Sequence, residues 1–206
     1  MKVYRNRSRA GQLLGQKIIE KFPKLKNTII LALPRGGVVI GAEISKVLNL
    51  PLDIIVTRKI CAPLSPEYAV AAVSENEVVL NPREDIDKKY LENETDKERQ
   101  EIKRRLKEYR GNRSKIDLKN KIVFLVDDGL ATGLTMEVAI LEVKRYSPLK
   151  IVIAVPVAPP ETIEKLRQKV DDLIVLDIES MFFSVGQFYE NFPQVTDEEV
   201  KKILSG

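Results

Sequence analysis

Asp127 and Asp128 stand where an apolar run, Ile122 to Val126, gives way to Gly129-Leu130-Ala131-Thr132-Gly133-Leu134-Thr135. Adjacent carboxylates can accept hydrogen bonds from vicinal sugar hydroxyls, either directly or through a hydrated Mg²⁺. A few residues on, Thr132 and Thr135 add hydroxyl donors, and Gly129 and Gly133 permit close backbone approach. The run before the acids is continuously apolar and mostly β-branched or aromatic, the pattern of a buried strand. Leu134, Val138 and Leu141 then repeat at helical spacing. Residues 131–135 therefore fall at a helix N-terminus, where unpaired amides and the positive dipole end favour a phosphate dianion. The acids fall at the carboxyl end of a strand, where open α/β sheets bind ligands. A P-loop is excluded, because no Gly-Lys-Ser/Thr follows the glycines. The plain alternative is a strand, turn and helix whose Asp and Thr merely cap the helix.

A second candidate anion site is Pro34-Arg35-Gly36-Gly37, where a guanidinium can pair bidentately with phosphate and small residues lead into a helix. Its plain alternative is a turn with Arg35 in solvent. Arg58 and Lys59 close a further strand and could add phosphate contacts, or serve only as surface charge.

Several elements must position these residues. A helix is expected over Arg7 to Lys21, a strand over Thr28 to Leu33 and a helix over Val38 to Leu48. A strand over Leu52 to Thr57 leads into a Pro-containing loop reaching Pro66, and Tyr68 to Val73 with Glu77 to Leu80 reads as a hairpin. Asp85 to Gly111 is densely charged, and Thr95-x-x-Glu98 has the form of a capping box opening a helix with a solvated face and a Glu101–Arg105 pair. Strands over Ile151 to Val155 and Leu173 to Asp177 flank a helix over Pro160 to Val170, and Asp197-Glu198-Glu199 opens a terminal helix. The alternation implies an α/β fold, a mainly parallel sheet flanked by helices with a small hairpin elaboration.

The segment 122–136 resembles the phosphoribosyl pyrophosphate (PRPP) motif of type I phosphoribosyltransferases, since strand, acidic pair, small-residue loop and Thr occur in that order. The resemblance continues through Arg58-Lys59-Ile60-Cys61-Ala62-Pro63 to Pro66-Glu67, then residues 154–161 and 183–189. Together these are similar to a group of stand-alone prokaryotic phosphoribosyltransferase-like proteins of unassigned acceptor. Cys61 and Ala71 stand where that pattern has glycine, which bears on loop closure. Hypoxanthine-guanine enzymes carry Asp where this chain has Ala131; adenine enzymes are closer at Ala131-Thr132-Gly133.

The resemblance implies the Rossmann-like fold of that family over residues 1–206, with a loop, hairpin and charged-helix elaboration at 60–113 and a C-terminal hood or packing segment at 178–206. It implies a Mg²⁺-dependent pentosyltransferase of nucleotide salvage, moving the 5-phosphoribosyl group of PRPP to a nucleobase or related nitrogenous acceptor. The products would be a nucleotide 5′-monophosphate and pyrophosphate. Asp127 and Asp128 would orient the ribose and hold Mg²⁺ through water. Ala131, Thr132, Gly133, Leu134 and Thr135 would bind the 5′-phosphate, and Arg35, Gly36, Gly37, Arg58 and Lys59 the pyrophosphate. The family's Arg35 loop often contains a non-proline cis peptide. Pro63 to Glu67 and the C-terminal segment would build the acceptor pocket, with Phe182, Phe183, Phe188 and Tyr189 available either for stacking or for the core. A PRPP- or nucleotide-binding regulator with the same cradle and little turnover is the alternative.

Composition narrows the chemistry. There is no His and only one Cys, which removes His-dependent triads, imidazole metal sites, internal disulfides and Cys-x-x-Cys pairs. The net charge of +4 suits an anionic small substrate, and no nucleic-acid-binding motif accompanies it. The polar N-terminus and the lack of a long apolar run lead us to expect a cytoplasmic protein without a membrane partner. A homodimer is a family-based expectation.

Overall fold

The computed structural model describes residues 3–63, 65–82 and 86–205, with Pro66 and Glu67 described as backbone only. The expected acceptor loop, residues 63–67, thus lies partly outside the described residues, as does Asp85. In chain order the first half forms α1 (Arg7–Lys21), β1 (Thr28–Ala32), α2 (Gly36–Leu48), β2 (Leu52–Ile54), β3 (Arg58–Ala62), β4 (Ser65–Val73) and β5 (Val78–Leu80). There follow α3 (Lys88–Arg110), β6 (Ile122–Val126), α4 (Leu134–Lys144), β7 (Lys150–Ala158), α5 (Pro160–Arg167), β8 (Asp172–Ile178), a 3₁₀ turn at Val185–Phe188 and α6 (Asp197–Ser205).

Five strands form one sheet in the order β2-β1-β6-β7-β8, every neighbouring pair parallel. Side chains alternate across it. Ile29, Leu31, Val123, Leu125, Ile151 and Ile153 pack beneath α4 and α5, whereas Ile30, Phe124, Val126, Val152 and Ala154 pack beneath α1 and α2. Both faces are covered, which is why these strands carry continuous apolar runs instead of alternating polar positions. Register then sets up the site. Ala32 pairs with Val126, the last residues of β1 and β6, so these two strands end level, while β7 continues past Ala154 to Ala158. Leu33 N–H donates to Val126 O at 2.9 Å, and the Pro34-Arg35 and Asp127-Asp128 segments therefore leave the sheet side by side.

A second, antiparallel sheet, β3-β4-β5, corrects two expectations. The second parallel strand stops at Ile54, not Thr57, and Arg58–Ala62 is a strand where a loop was expected. Its ladder with β4 shifts register at Ile60/Cys61 and Cys61/Ala62, so it lacks the clean alternation by which a strand is recognised. The expected hairpin is present as β4 and β5.

The charged helix is the third correction. It begins at Lys88, capped by the Asp87 carboxylate accepting from Tyr90 N–H at 2.7 Å, not at Thr95. Thr95 is buried inside the helix, on the stripe continued by Ile102, Leu106 and Tyr109 that packs against the second sheet and α6. Glu101 does pair with Arg105, at 2.7 Å, and its bonds with Arg104 and Arg105 hold its carboxyl down at about 2 despite opposing burial.

Glu142 on α4 ties the small sheet to the main one. It is 2% exposed and accepts from Ser74 Oγ at 2.7 Å, Asn76 N at 3.0 Å, Asn76 Nδ2 at 2.8 Å and Tyr146 OH at 3.0 Å. Burial alone would push its carboxyl up; the hydrogen bonds outweigh it and the net shift is downward. Glu142→Ala would leave those donors unmatched and should cost about 2–3 kcal/mol, read as a lower denaturation midpoint. A midpoint equal to wild type would show that the hairpin is held by other contacts.

Candidate functional site

The carboxyl ends of β1 and β6 open onto a cavity of about 280 Å³. Its floor is Asp127 to Gly133 with Thr135, one wall is Leu33 to Gly36, and Thr57, Lys59 and Val185 complete it. Of the residues singled out by sequence, the structure brings together Arg35, Gly36, Lys59, Asp127, Asp128, Ala131, Thr132, Gly133 and Thr135. It does not bring Arg58. Neighbouring residues on a strand point to opposite faces, so while Lys59 reaches the cavity, Arg58 turns to α3 and its Nε meets Glu98 Oε2 at 2.6 Å. The Gly37 and Leu134 side positions are not on the wall either. A Cβ at Gly37 would sit 2.8 Å from Val126 O, and Leu134 is buried with Ala72, Val79 and Val138.

The 131–135 loop is shaped by Gly133, whose φ of +73° is a left-handed conformation that side chains resist. It is supported from behind by Thr162 on α5, whose hydroxyl donates to Ala131 O at 2.5 Å. Glu137 N–H is bonded to Gly133 O at 2.8 Å, so the amides immediately before it are those that a helix leaves without intrahelical acceptors. Ala131 and Thr132 are exposed toward solvent, as a ligand-receiving loop requires.

On the opposite wall the Pro34–Arg35 peptide is cis, the feature that the family resemblance implied. Arg35 NH1 lies 3.4 Å from Asp197 Oδ1 at the start of α6, and the same carboxylate accepts from Tyr109 OH at 2.6 Å. Gly36 is present for contact reasons. A Cβ there would overlap Asp128 Oδ2.

Between the walls, Asp127 Oδ1 accepts from Asp128 N–H at 2.8 Å. Burial, and next the adjacent Asp128 charge, push the Asp127 carboxyl well above its usual range, against a smaller opposing effect from Lys59. Asp128 Oδ2 accepts from Arg7 Nε at 2.7 Å, and Asp128 O from Tyr189 OH at 2.6 Å. Two hard-oxygen side chains fit a Mg²⁺ that keeps several waters and takes further ligands from substrate phosphates. Among the described residues no group of three or more His, Cys, Asp or Glu gathers to form an all-protein cage.

The aromatic expectations divide. Phe188 and Tyr189 are buried in the core, and Phe182 packs on Phe188 with centroids 4.9 Å apart. Phe183 alone projects, 89% exposed. Sequence reasoning passed over Thr57 and Val185 as lining residues, and Arg7, Thr162 and Tyr189 as supports. Thr57 adjoins the basic pair and could have been found there, whereas the supports act across more than thirty positions and leave no local signal.

Residues 5–192 match the family model described as the phosphoribosyl transferase domain. The chain belongs to that family. Among phosphoribosyl transferase relatives, a protein of Mycobacterium tuberculosis provisionally named a phosphoribosyl transferase, Rv0571c, is 35% identical over 99% of this chain. That alignment takes in 47% of the relative, so this chain spans about half the length of the curated relatives it matches. A uracil phosphoribosyltransferase of Aquifex aeolicus is 43% identical over 53 residues, 26% of each chain. Among solved structures, TT1426 of Thermus thermophilus superposes with a TM-score of 0.82 at 40% identity, covering 99% of this chain and 98% of that one. The parallel sheet flanked by helices is an α/β fold that matches this family, and among the described residues no helix is long and apolar enough to cross a membrane.

Proposed function

We propose that this protein transfers the 5-phosphoribosyl group of PRPP to a nitrogenous base, releasing pyrophosphate and a nucleotide 5′-monophosphate. The observation that carries the reading is the convergence on one cavity of the 131–135 loop, the Asp127-Asp128 pair, Arg35-Gly36 and Lys59. A phosphate dianion, a diol and a second polyanion need three such regions facing one cavity, and ordinary helix capping needs none of them to face one another.

In this reading the loop amides with the Thr132 and Thr135 hydroxyls anchor the 5′-phosphate. Asp127 and Asp128 accept hydrogen bonds from the ribose hydroxyls. Arg35 and Lys59, at the other wall, hold the departing pyrophosphate while positive charge develops on the anomeric carbon. Mg²⁺, held through water by the acidic pair, would supply charge neutralisation at the leaving group. Clamping both ends of the donor leaves the anomeric carbon as the point an acceptor nitrogen must approach in line. We assign the acceptor side to the 178–206 segment, where Val185 already borders the cavity and Phe183 projects. A homodimer and a cytoplasmic place in nucleotide salvage belong to the same proposal.

The test is a scan with PRPP, Mg²⁺ and individual purine and pyrimidine bases, reading nucleotide and pyrophosphate, alongside calorimetry of PRPP. Nucleotide formation with one base supports the transferase. Saturable PRPP uptake with no turnover across the panel would favour a donor-sensing regulator instead. No uptake at all would overturn both.

A further inference from the structure

Arg7 is the first residue of α1, 8% exposed, and it does not line the cavity. A cation at that position opposes the helix dipole, and no acidic residue in the first turn offsets it. A residue that breaks a local rule while buried needs a tertiary reason. That reason is Asp128. Arg7 Nε donates to Asp128 Oδ2 at 2.7 Å and NH1 to Pro193 O at 2.8 Å, while the guanidinium lies 3.6 Å over the Phe192 ring. Phe192 stacks on Tyr189 at 4.9 Å, and Tyr189 OH donates to Asp128 O.

We infer that Arg7 is a positioning residue for the donor's ribose, fixing the Asp128 carboxylate so that Oδ1 is the oxygen presented to a sugar hydroxyl. The inference rests on the transferase reading above. Three facts carry it together. The ion pair commits Oδ2, so the carboxylate cannot rotate freely. Its positive charge balances one of two adjacent acids that would otherwise repel each other. The planar fork spans Asp128 and Pro193 at once, so the C-terminal segment is fastened to the floor of the site through one side chain. A lysine could supply the charge but not both bonds in that geometry.

The test is a double-mutant cycle of Arg7→Gln and Asp128→Asn, with Arg7→Lys as the conservative variant, titrated with PRPP and Mg²⁺ and separately with inorganic phosphate. Arg7→Gln should weaken PRPP by about 10- to 100-fold, as loss of an orienting outer partner does. It should leave inorganic phosphate, which needs only the 131–135 loop, unchanged. In the Asp128→Asn background it should cost nothing further, and Arg7→Lys should recover part of the loss. Phe192→Leu removes the stacking but leaves the ion pair, so it should lower thermal stability and spare PRPP affinity. Additive losses from Arg7→Gln and Asp128→Asn, or equal weakening of PRPP and inorganic phosphate, would overturn the proposal and reduce Arg7 to a general brace. No PRPP uptake by the wild type would instead sink the transferase reading, and the ribose role with it.

Discussion

Gly36→Ala is expected to weaken PRPP binding by at least about 100-fold. Helix propensity alone argues the other way. Gly36 opens α2, and replacing a helical glycine with alanine ordinarily stabilises by about 1 kcal/mol. Contact geometry overrides that gain. The new Cβ would overlap Asp128 Oδ2 and sit 2.7 Å from its Cγ and 3.0 Å from Arg7 Nε. A carboxylate at the end of a free side chain could rotate aside at little cost. This one is held by Arg7, with both partners largely shielded from water, and breaking such a pair costs up to about 3–5 kcal/mol. The chain must either give up the ion pair or move the Arg35 turn, and each alternative spoils a wall of the cavity. Calorimetry with PRPP and Mg²⁺ reads the affinity, and thermal unfolding reads the fold. Gly111→Ala is the control: its φ of +56° carries backbone strain, but nothing lies within 4 Å, so stability should fall slightly with no change in PRPP affinity. Equal affinity in Gly36→Ala and wild type would mean that Asp128 is not where the donor binds.

The same contacts explain which parts of this molecule could be read from its residues alone. The 122–143 stretch was legible because strand, acids, turn and helix are contiguous, so each local signal reinforces the next. The covered parallel sheet followed from apolar runs with no polar face. Where the outcome depended on distant partners, local pattern failed. Strand β3 exists through its ladder with β4, irregular at two places, and so did not announce itself. The Thr95-x-x-Glu98 pattern is a correct capping signature in a place where Thr95 is instead buried within the helix that Asp87 caps. Arg58 and Lys59 adjoin in the sequence as candidate phosphate contacts, and it is the pleat that sends one to Glu98 and the other to the cavity. Arg7 lies 121 residues from the carboxylate it holds, and nothing near it in the chain marks it as part of the site.

Asp127→Asn should make the protein more stable at neutral pH and, combined with Asp128→Asn, at least about 100-fold slower in forming nucleotide. The sign follows from linkage. Burial and the neighbouring Asp128 charge raise the folded-state pKa of Asp127 above its unfolded value, so between the two values the folded chain binds the additional proton. Stability therefore falls as pH climbs from the unfolded pKa to the folded one, and the loss is complete above the latter. Asparagine has no charge to bury, and its Oδ1 can still accept from Asp128 N–H as the carboxylate does at 2.8 Å. Removing the ionisation should thus raise Tm at pH 7 and flatten its decline with pH, each 1 kcal/mol appearing as about 2–4 °C in a chain of this size. The measurement belongs in Mg²⁺-free buffer, because a bound cation would mask the charge being tested. A lower Tm in Asp127→Asn, or the same pH slope as wild type, would show that Asp127 carries no such penalty. The opposition between stability and turnover is what a charge kept for a ligand should produce. The folded chain tolerates two adjacent carboxylates at the end of β6 because, when the donor arrives, ribose hydroxyls and metal-bound water can satisfy oxygens that the protein alone leaves strained by their proximity.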